Sequence, residues 1–264
     1  MTAPWPVVLV HGTRTSHSQW DPQVPSLRAA GHPVTAPDLP GHGRNLGAPF
    51  TLAAAEAVLE DAVRTAHERT GLPVHVVGSS LGGMLAIHSA ARLSGSAVGP
   101  EGTEVLGSLV ACGAAMQPTS HLARLYAGLF RAAEVLPAMR TGTGAFPFTW
   151  LLGVDGARAL VRGGRAEIGV VAPAFAAVAE LDLRAELARI PVPVTFLHGR
   201  GDQLRLHERS FVAAAPQGRL ELLPYGNHMV NLVRPERFTP DLLRVLARAE
   251  QEHERGRGAP PVGP

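Results

Sequence analysis

The sequence predicts an α/β fold: a doubly wound, mostly parallel sheet of about six strands with an inserted helical cap. Three observations predict it. Short apolar runs alternate with amphipathic, helix-length segments, and sheet-plus-helix alternation of this kind builds layered α/β domains. The runs are apolar on both faces, the mark of parallel strands covered on each side. Between residues 116 and 187 the strand pattern stops and only helical patterns remain. The core is therefore expected at 1–115 and 188–251, the cap at 116–187, and a disordered, Gly/Pro-rich tail at 252–264.

Taken in order, Pro6–Val10 reads as a buried strand ending at His11-Gly12. A polar loop and a short helix near Pro22–Ala30 follow, closed by Gly31. His32–Pro37 is a strand whose two prolines assign it to a sheet edge. Leu52–Arg69 has helical periodicity and stops at Gly71. Val74–Val77 is a strand that runs into Gly78-Ser79-Ser80-Leu81-Gly82 and then into a helix. Strand, sharp turn and helix around G-x-S-x-G present a serine at the top of a sheet. Val105–Ala111 is the fourth strand. Helices are expected near 120–139, 148–162 and 165–187. Strands resume at Val192–Leu197 and Arg219–Leu223, and a last helix runs over about 240–250.

Composition narrows the function classes. The chain has 264 residues, 45% hydrophobic and 17% charged, with a formal charge of +2. All 24 basic residues are arginine, scattered apart from a loose group at Arg158, Arg162 and Arg165. No basic stripe for a phosphate backbone is present, so no nucleic-acid partner is expected. The single cysteine, Cys112, lies in an apolar run and reads as a buried small hydrophobe. One cysteine makes neither an intrachain disulfide nor a cysteine metal site. No metal or cofactor motif is found, and none is expected. No signal peptide or apolar run of membrane length is seen, and a cytoplasmic location is expected.

In an open parallel sheet, ligands bind at the carboxyl ends of the strands. His11-Gly12-Thr13 follows the first strand, Ser80 the third, Asp202 the fifth and His228 the sixth. Five motifs carry a resemblance at this point: Val8–Gly12 (VLVHG), Ala36–Arg44 (APDLPGHGR), Val77–Gly83 (VGSSLGG), Phe196–Asp202 (FLHGRGD) and Gly226–Phe238 (GNHMVNLVRPERF). Over about residues 5–248 the chain resembles the α/β-hydrolase superfamily, in its serine hydrolase branch. The resemblance implies Ser80 as nucleophile, His228 as base and Asp202 as the acid that orients it. It implies an oxyanion hole from the backbone N–H groups of Thr13 and Leu81.

Rival readings stand beside these. Ser79 lies one residue off the pattern, and Glu208 is a rival acid. His11, His42, Asp38 and His198 read as structural. Arg14 and Arg44 sit on post-strand loops, where they could meet a substrate carboxylate. The first strand begins almost at once, so a small sheet of about six strands is expected, and serine at the elbow disfavours the carboxylate-nucleophile branches.

The cap is expected to set the substrate. Phe130, Phe146, Phe148, Trp150 and Phe175 concentrate aromatic surface there, and Met84, Met116 and Met229 could add to the same pocket. An apolar pocket suits a hydrophobic acyl group. The expected activity is cleavage of a small or medium hydrophobic ester, lactone or thioester through an acyl-enzyme. The same triad could instead serve C–C bond hydrolysis, acyl transfer, perhydrolysis or a lyase or cyclase step, since fold alone does not select chemistry. A non-catalytic ligand-binding protein is a third reading. The oligomeric state is left open.

Overall fold

The apolar runs form six strands: β1 Val7–Val10, β2 Val34–Thr35, β3 Val74–Ser79, β4 Leu106–Cys112, β5 Val194–Gly201 and β6 Gly218–Asn227. The computed structural model describes residues 3–96, 104–119 and 146–258, with residues 121, 124, 125, 128 and 132 between them. All pairings are parallel, in the order β2-β1-β3-β4-β5-β6. β2 is the expected edge strand, held to two residues between Pro33 and Pro37.

Side chains alternate across the sheet, so two cores form. Val8, Val10, Val76, Leu109 and Phe196 face one core, together with α2 (Leu52–Thr70), α3 (Leu81–Ser96) and Phe211 of α7 (Glu208–Ala214). Val7, Leu9, Val77, Val110 and Leu197 face the other. There Leu27 of α1 (Val24–Ala29) and Phe238, Leu242 and Leu246 of α9 (Pro235–Gly258) cover the sheet. Helices on both faces make the doubly wound arrangement. The strand order reverses between β1 and β3, and this switch point is where open α/β sheets bind ligands.

Between β4 and β5 the described elements are all helical. They are α4 (Phe146–Arg162), a 3-10 turn at Ile168–Val170, α5 (Val171–Ala179) and α6 (Leu183–Leu187). The expected single helix over 165–187 is broken at 180–182, where the Asp182 side chain caps α6 by accepting from the Arg184 and Ala185 N–H groups. The helix expected near 120–139 lies largely outside the described residues. α5 buries Val171, Ala174, Phe175 and Val178 in the same core as the sheet. α5 therefore packs directly on the sheet's core.

The expected disorder from residue 252 onward is corrected over 252–258, which continue α9. Those residues have partners on the body. Arg219 pairs with Glu252 at 2.7 Å, and the His253 ring meets Trp5 edge-on at 5.0 Å between centroids. Residues 259–264 lie outside the described residues.

Candidate active site

The turn after β3 is as sharp as its glycines imply. Ser80 sits at φ +55°, in left-handed space that a non-glycine residue adopts at a cost. A Cβ on Gly78 would lie 2.4 Å from the Gly82 carbonyl oxygen, and one on Gly82 would lie 2.3 Å from that of His11. Both positions exclude any larger residue. The Ser80 N–H donates to the Cys112 carbonyl at 2.8 Å, which fixes the turn to the end of β4. α3 begins at Leu81, so the Leu81 N–H is one of the helix's first amides and has no intrahelical acceptor.

The two serines of the turn differ. Ser80 is partly exposed, whereas Ser79 is buried and its hydroxyl accepts from Gln19 Nε2 at 2.9 Å. The Gln19 side chain also accepts from the Gly12 N–H at 2.8 Å. The loop before Thr13 and the end of β3 are thus held by one amide. Its backbone carbonyl in turn accepts from Asn231 Nδ2 at 3.1 Å, on α8 (Val230–Val233).

His11 is fully buried. Its Nδ1–H donates to the Gly12 carbonyl at 2.8 Å and its Nε2 accepts from the Leu39 N–H at 3.0 Å. Burial, with the His42 ring beside it, lowers its pKa to about 3. It is a neutral brace for the loop, as expected. Asp38 is the hub of the next loop, accepting from the His17 N–H at 2.7 Å and the Arg44 guanidinium at 2.8 Å. Burial pushes the Asp38 carboxyl up, but these donors outweigh it and hold the pKa at about 2. Arg44 is therefore committed to Asp38, and Arg14 turns its Nε to the Ala166 carbonyl at 3.2 Å.

β5 and β6 end at Gly201 and Asn227, so Asp202 and His228 follow them directly. His228 Nδ1 donates to Asp202 Oδ1 at 3.0 Å. The same oxygen accepts from the Leu204 N–H at 2.7 Å. Burial raises the Asp202 pKa, but the His228 ring and this N–H outweigh it, so the carboxyl stays below its usual range. The rival acid Glu208 is paired with Arg205 at 3.0 Å. Gly113 completes the cluster at φ +58°: a Cβ there would lie 2.7 Å from both Asp202 Oδ2 and His228 Nδ1. Its N–H donates to Nδ1 of the buried His198 at 3.1 Å, and burial keeps that ring neutral with a pKa near 4. Ser80 joins this group through Cys112, the neighbour of Gly113. No hydrogen bond links the Ser80 hydroxyl to His228; in enzymes without substrate such contacts are often long.

Residues 7–241 match the family described as the alpha/beta hydrolase family. The chain belongs to that family. This hydrolase is 26% identical over 263 residues to a protein of Agrobacterium fabrum that carries the name carbamate hydrolase RutD, covering 93% of this chain and 94% of that protein. Over 87 residues it is 37% identical to a pimeloyl-(acyl-carrier protein) methyl ester esterase of Neisseria meningitidis, covering 33% of this chain and 31% of that enzyme. Among solved structures, the enol-lactonase of Burkholderia xenovorans LB400 superposes with a TM-score of 0.69 at 23% identity, covering 94% of this chain and 92% of that one.

The pocket residues expected of this hydrolase do not form one wall. Met84, Met116 and Phe175 are buried in the core beneath α3 and α5. Phe148 and Met229 pack with Leu152, Leu160 and Leu232 in a separate small cluster. Trp150 is corrected: it is 94% exposed. Phe148 and Leu152 are four residues apart and share the inward face of α4, which leaves residue 150 on the opposite side. Phe130 lies outside the described residues, as does the Phe146 side chain.

Sequence reading missed Gln19, Asn231 and Gly113. Gly113 carried a usable signal, a glycine immediately after a buried strand. The two amides carried none.

Proposed function

We propose that this α/β hydrolase is a serine hydrolase that cleaves a small or medium hydrophobic carboxylic ester, lactone or thioester through an acyl-enzyme. The observation that carries the reading is the Asp202–His228 hydrogen bond, made at the same carboxyl-terminal end of the sheet as the strained, partly exposed Ser80. A hydroxyl needs a base to become a competent nucleophile, and an imidazole oriented by a buried carboxylate is that base.

In this reading Ser80 Oγ attacks the acyl carbon and its proton passes to His228 Nε2. Asp202 holds Nδ1–H and stabilises the imidazolium. The N–H groups of Thr13 and Leu81 receive the oxyanion. The intermediate collapses to an acyl-Ser80, and the leaving alcohol or thiol takes the proton from His228. Water then repeats the sequence and releases the acid. The two curated relatives are named for a carbamate and a methyl ester, which share an acyl carbon bonded to a heteroatom leaving group. Residues 116–187 would form the substrate-side cap. Phe148 packs in one cluster with Met229, next to His228, and offers an apolar wall for the acyl group.

The test is a chain-length series of p-nitrophenyl esters and acyl thioesters, with Ser80→Ala and Asp202→Asn as controls. Saturable hydrolysis that falls on the order of 10⁴-fold in each variant is expected. Full activity in Ser80→Ala, or no turnover of any acyl substrate, contradicts the reading.

A further inference from the structure

At the opposite, amino-terminal end of the strands, three side chains from distant parts of the chain converge. His32 follows α1, His75 is the second residue of β3, and Glu250 is on α9. One ligand atom from each lies within 4.8 Å of the other two. His32 is 6% exposed and His75 is fully buried. We propose that His32, His75 and Glu250 form a zinc-binding site that clamps α9 to the amino ends of the strands.

The donor set and its surroundings carry the proposal. Two imidazole nitrogens and a carboxylate suit Zn²⁺, and such ligands are normally oriented by a second hydrogen bond on the far side. Both histidines have one. His32 Nδ1 donates to the Trp5 carbonyl at 2.8 Å, which leaves Nε2 as the lone-pair nitrogen. His75 Nδ1 meets the Ser108 hydroxyl at 2.7 Å. Glu250 Oε1 accepts from the Trp5 N–H at 2.7 Å, so the backbone of one residue orients two of the three ligands. Zinc bonds of 2.0–2.2 Å in a tetrahedron set ligand atoms roughly 3.3–3.5 Å apart. His75 Nε2 and Glu250 Oε1 stand 3.3 Å apart. Glu250 is only partly buried, so its carboxylate can turn to close the remaining distance and a water can take the fourth position.

The rival arrangement is metal-free, with His75 Nε2–H donating to Glu250. Ser108 serves both, because its hydroxyl can accept from Nδ1–H or donate to a bare Nδ1. The site is at the far end of β3 from Ser80, so it contributes to stability and takes no part in ester cleavage.

The test uses the untagged full chain, stripped with a chelator, loaded with ZnCl₂ and dialysed. Metal content is measured by mass spectrometry and Tm by circular dichroism. About one zinc per chain and a chelator-reversible rise in Tm are expected. Glu250→Gln keeps an acceptor for the Trp5 N–H, and His32→Asn keeps a donor for the Trp5 carbonyl. Each folded variant is expected to lose the zinc and the Tm response. A wild-type chain that binds no zinc, or a folded variant that keeps it, overturns the proposal. Should both variants misfold, a zinc-edge anomalous map of wild-type crystals decides: a peak between His32 and His75 supports the site and its absence overturns it.

Discussion

The Gln19 side-chain amide donates to the Ser79 hydroxyl at 2.9 Å. Gln19 also receives the Gly12 N–H, so its side chain ties the loop after β1 to the strand beneath the elbow. It occupies Ser79 and leaves Ser80 as the serine at the strained, accessible position. Ser79→Ala is therefore expected to keep most esterase activity, losing no more than about tenfold, with a stability cost of about 1–3 kcal/mol for the amide left without its acceptor. Ser80→Ala is expected to lose activity while keeping its Tm. Steady-state kinetics with thermal melts check both; an inactive Ser79→Ala beside an active Ser80→Ala would reverse the assignment.

Gly113 is expected to be the most sensitive position outside the proposed residues Ser80, Asp202 and His228. A methyl group there must displace Asp202 or His228, and φ +58° adds roughly 1–2 kcal/mol of backbone strain. Displacing catalytic groups by about 1 Å costs on the order of 100-fold. Gly113→Ala should lower kcat by at least that factor and lower Tm by several degrees. Wild-type kinetics in this variant would mean that the Asp202–His228 geometry does not govern the rate.

Stability should depend on pH through His88. Its Nδ1 and Nε2 meet Glu186 at 2.6 Å and Glu56 at 2.5 Å, which joins α2, α3 and α6. Burial alone would lower its pKa, but the two carboxylates outweigh burial and raise it. A raised folded pKa means that the contribution is full below pH of about 6.5 and is lost as pH rises through the folded value. The Tm gap between wild type and His88→Gln should be widest near pH 6 and narrow toward pH 9. A gap that stays flat or widens with pH contradicts the ion-pair account.

Local chemistry made the fold readable. The buried runs, Gly71 at a helix end and the glycines around Ser80 all constrain nearby backbone, and each appears where expected. The order of Ser80, Asp202 and His228 was readable for the same reason, since each follows a strand. What stayed hidden depends on contacts across the chain. Gln19 meets Asn231 only after α8 packs over the loop, 212 residues away. His32, His75 and Glu250 carry no local spacing signal. Trp150 is aromatic in an apolar helix, yet its face is set by the packing of Phe148 and Leu152 against Met229 and Leu232. The polar sequence of residues 252–258 resembles a disordered tail until Arg219 and Trp5 are in place beside it.

The central claim is that Ser80 is a nucleophile activated by His228 and Asp202. Fluorophosphonate labelling read by intact mass and peptide mapping tests it most directly. The account predicts a single adduct on Ser80 in the wild type, none in Ser80→Ala, and much slower labelling in His228→Ala. An unlabelled wild type, or an adduct that survives Ser80→Ala, would contradict it.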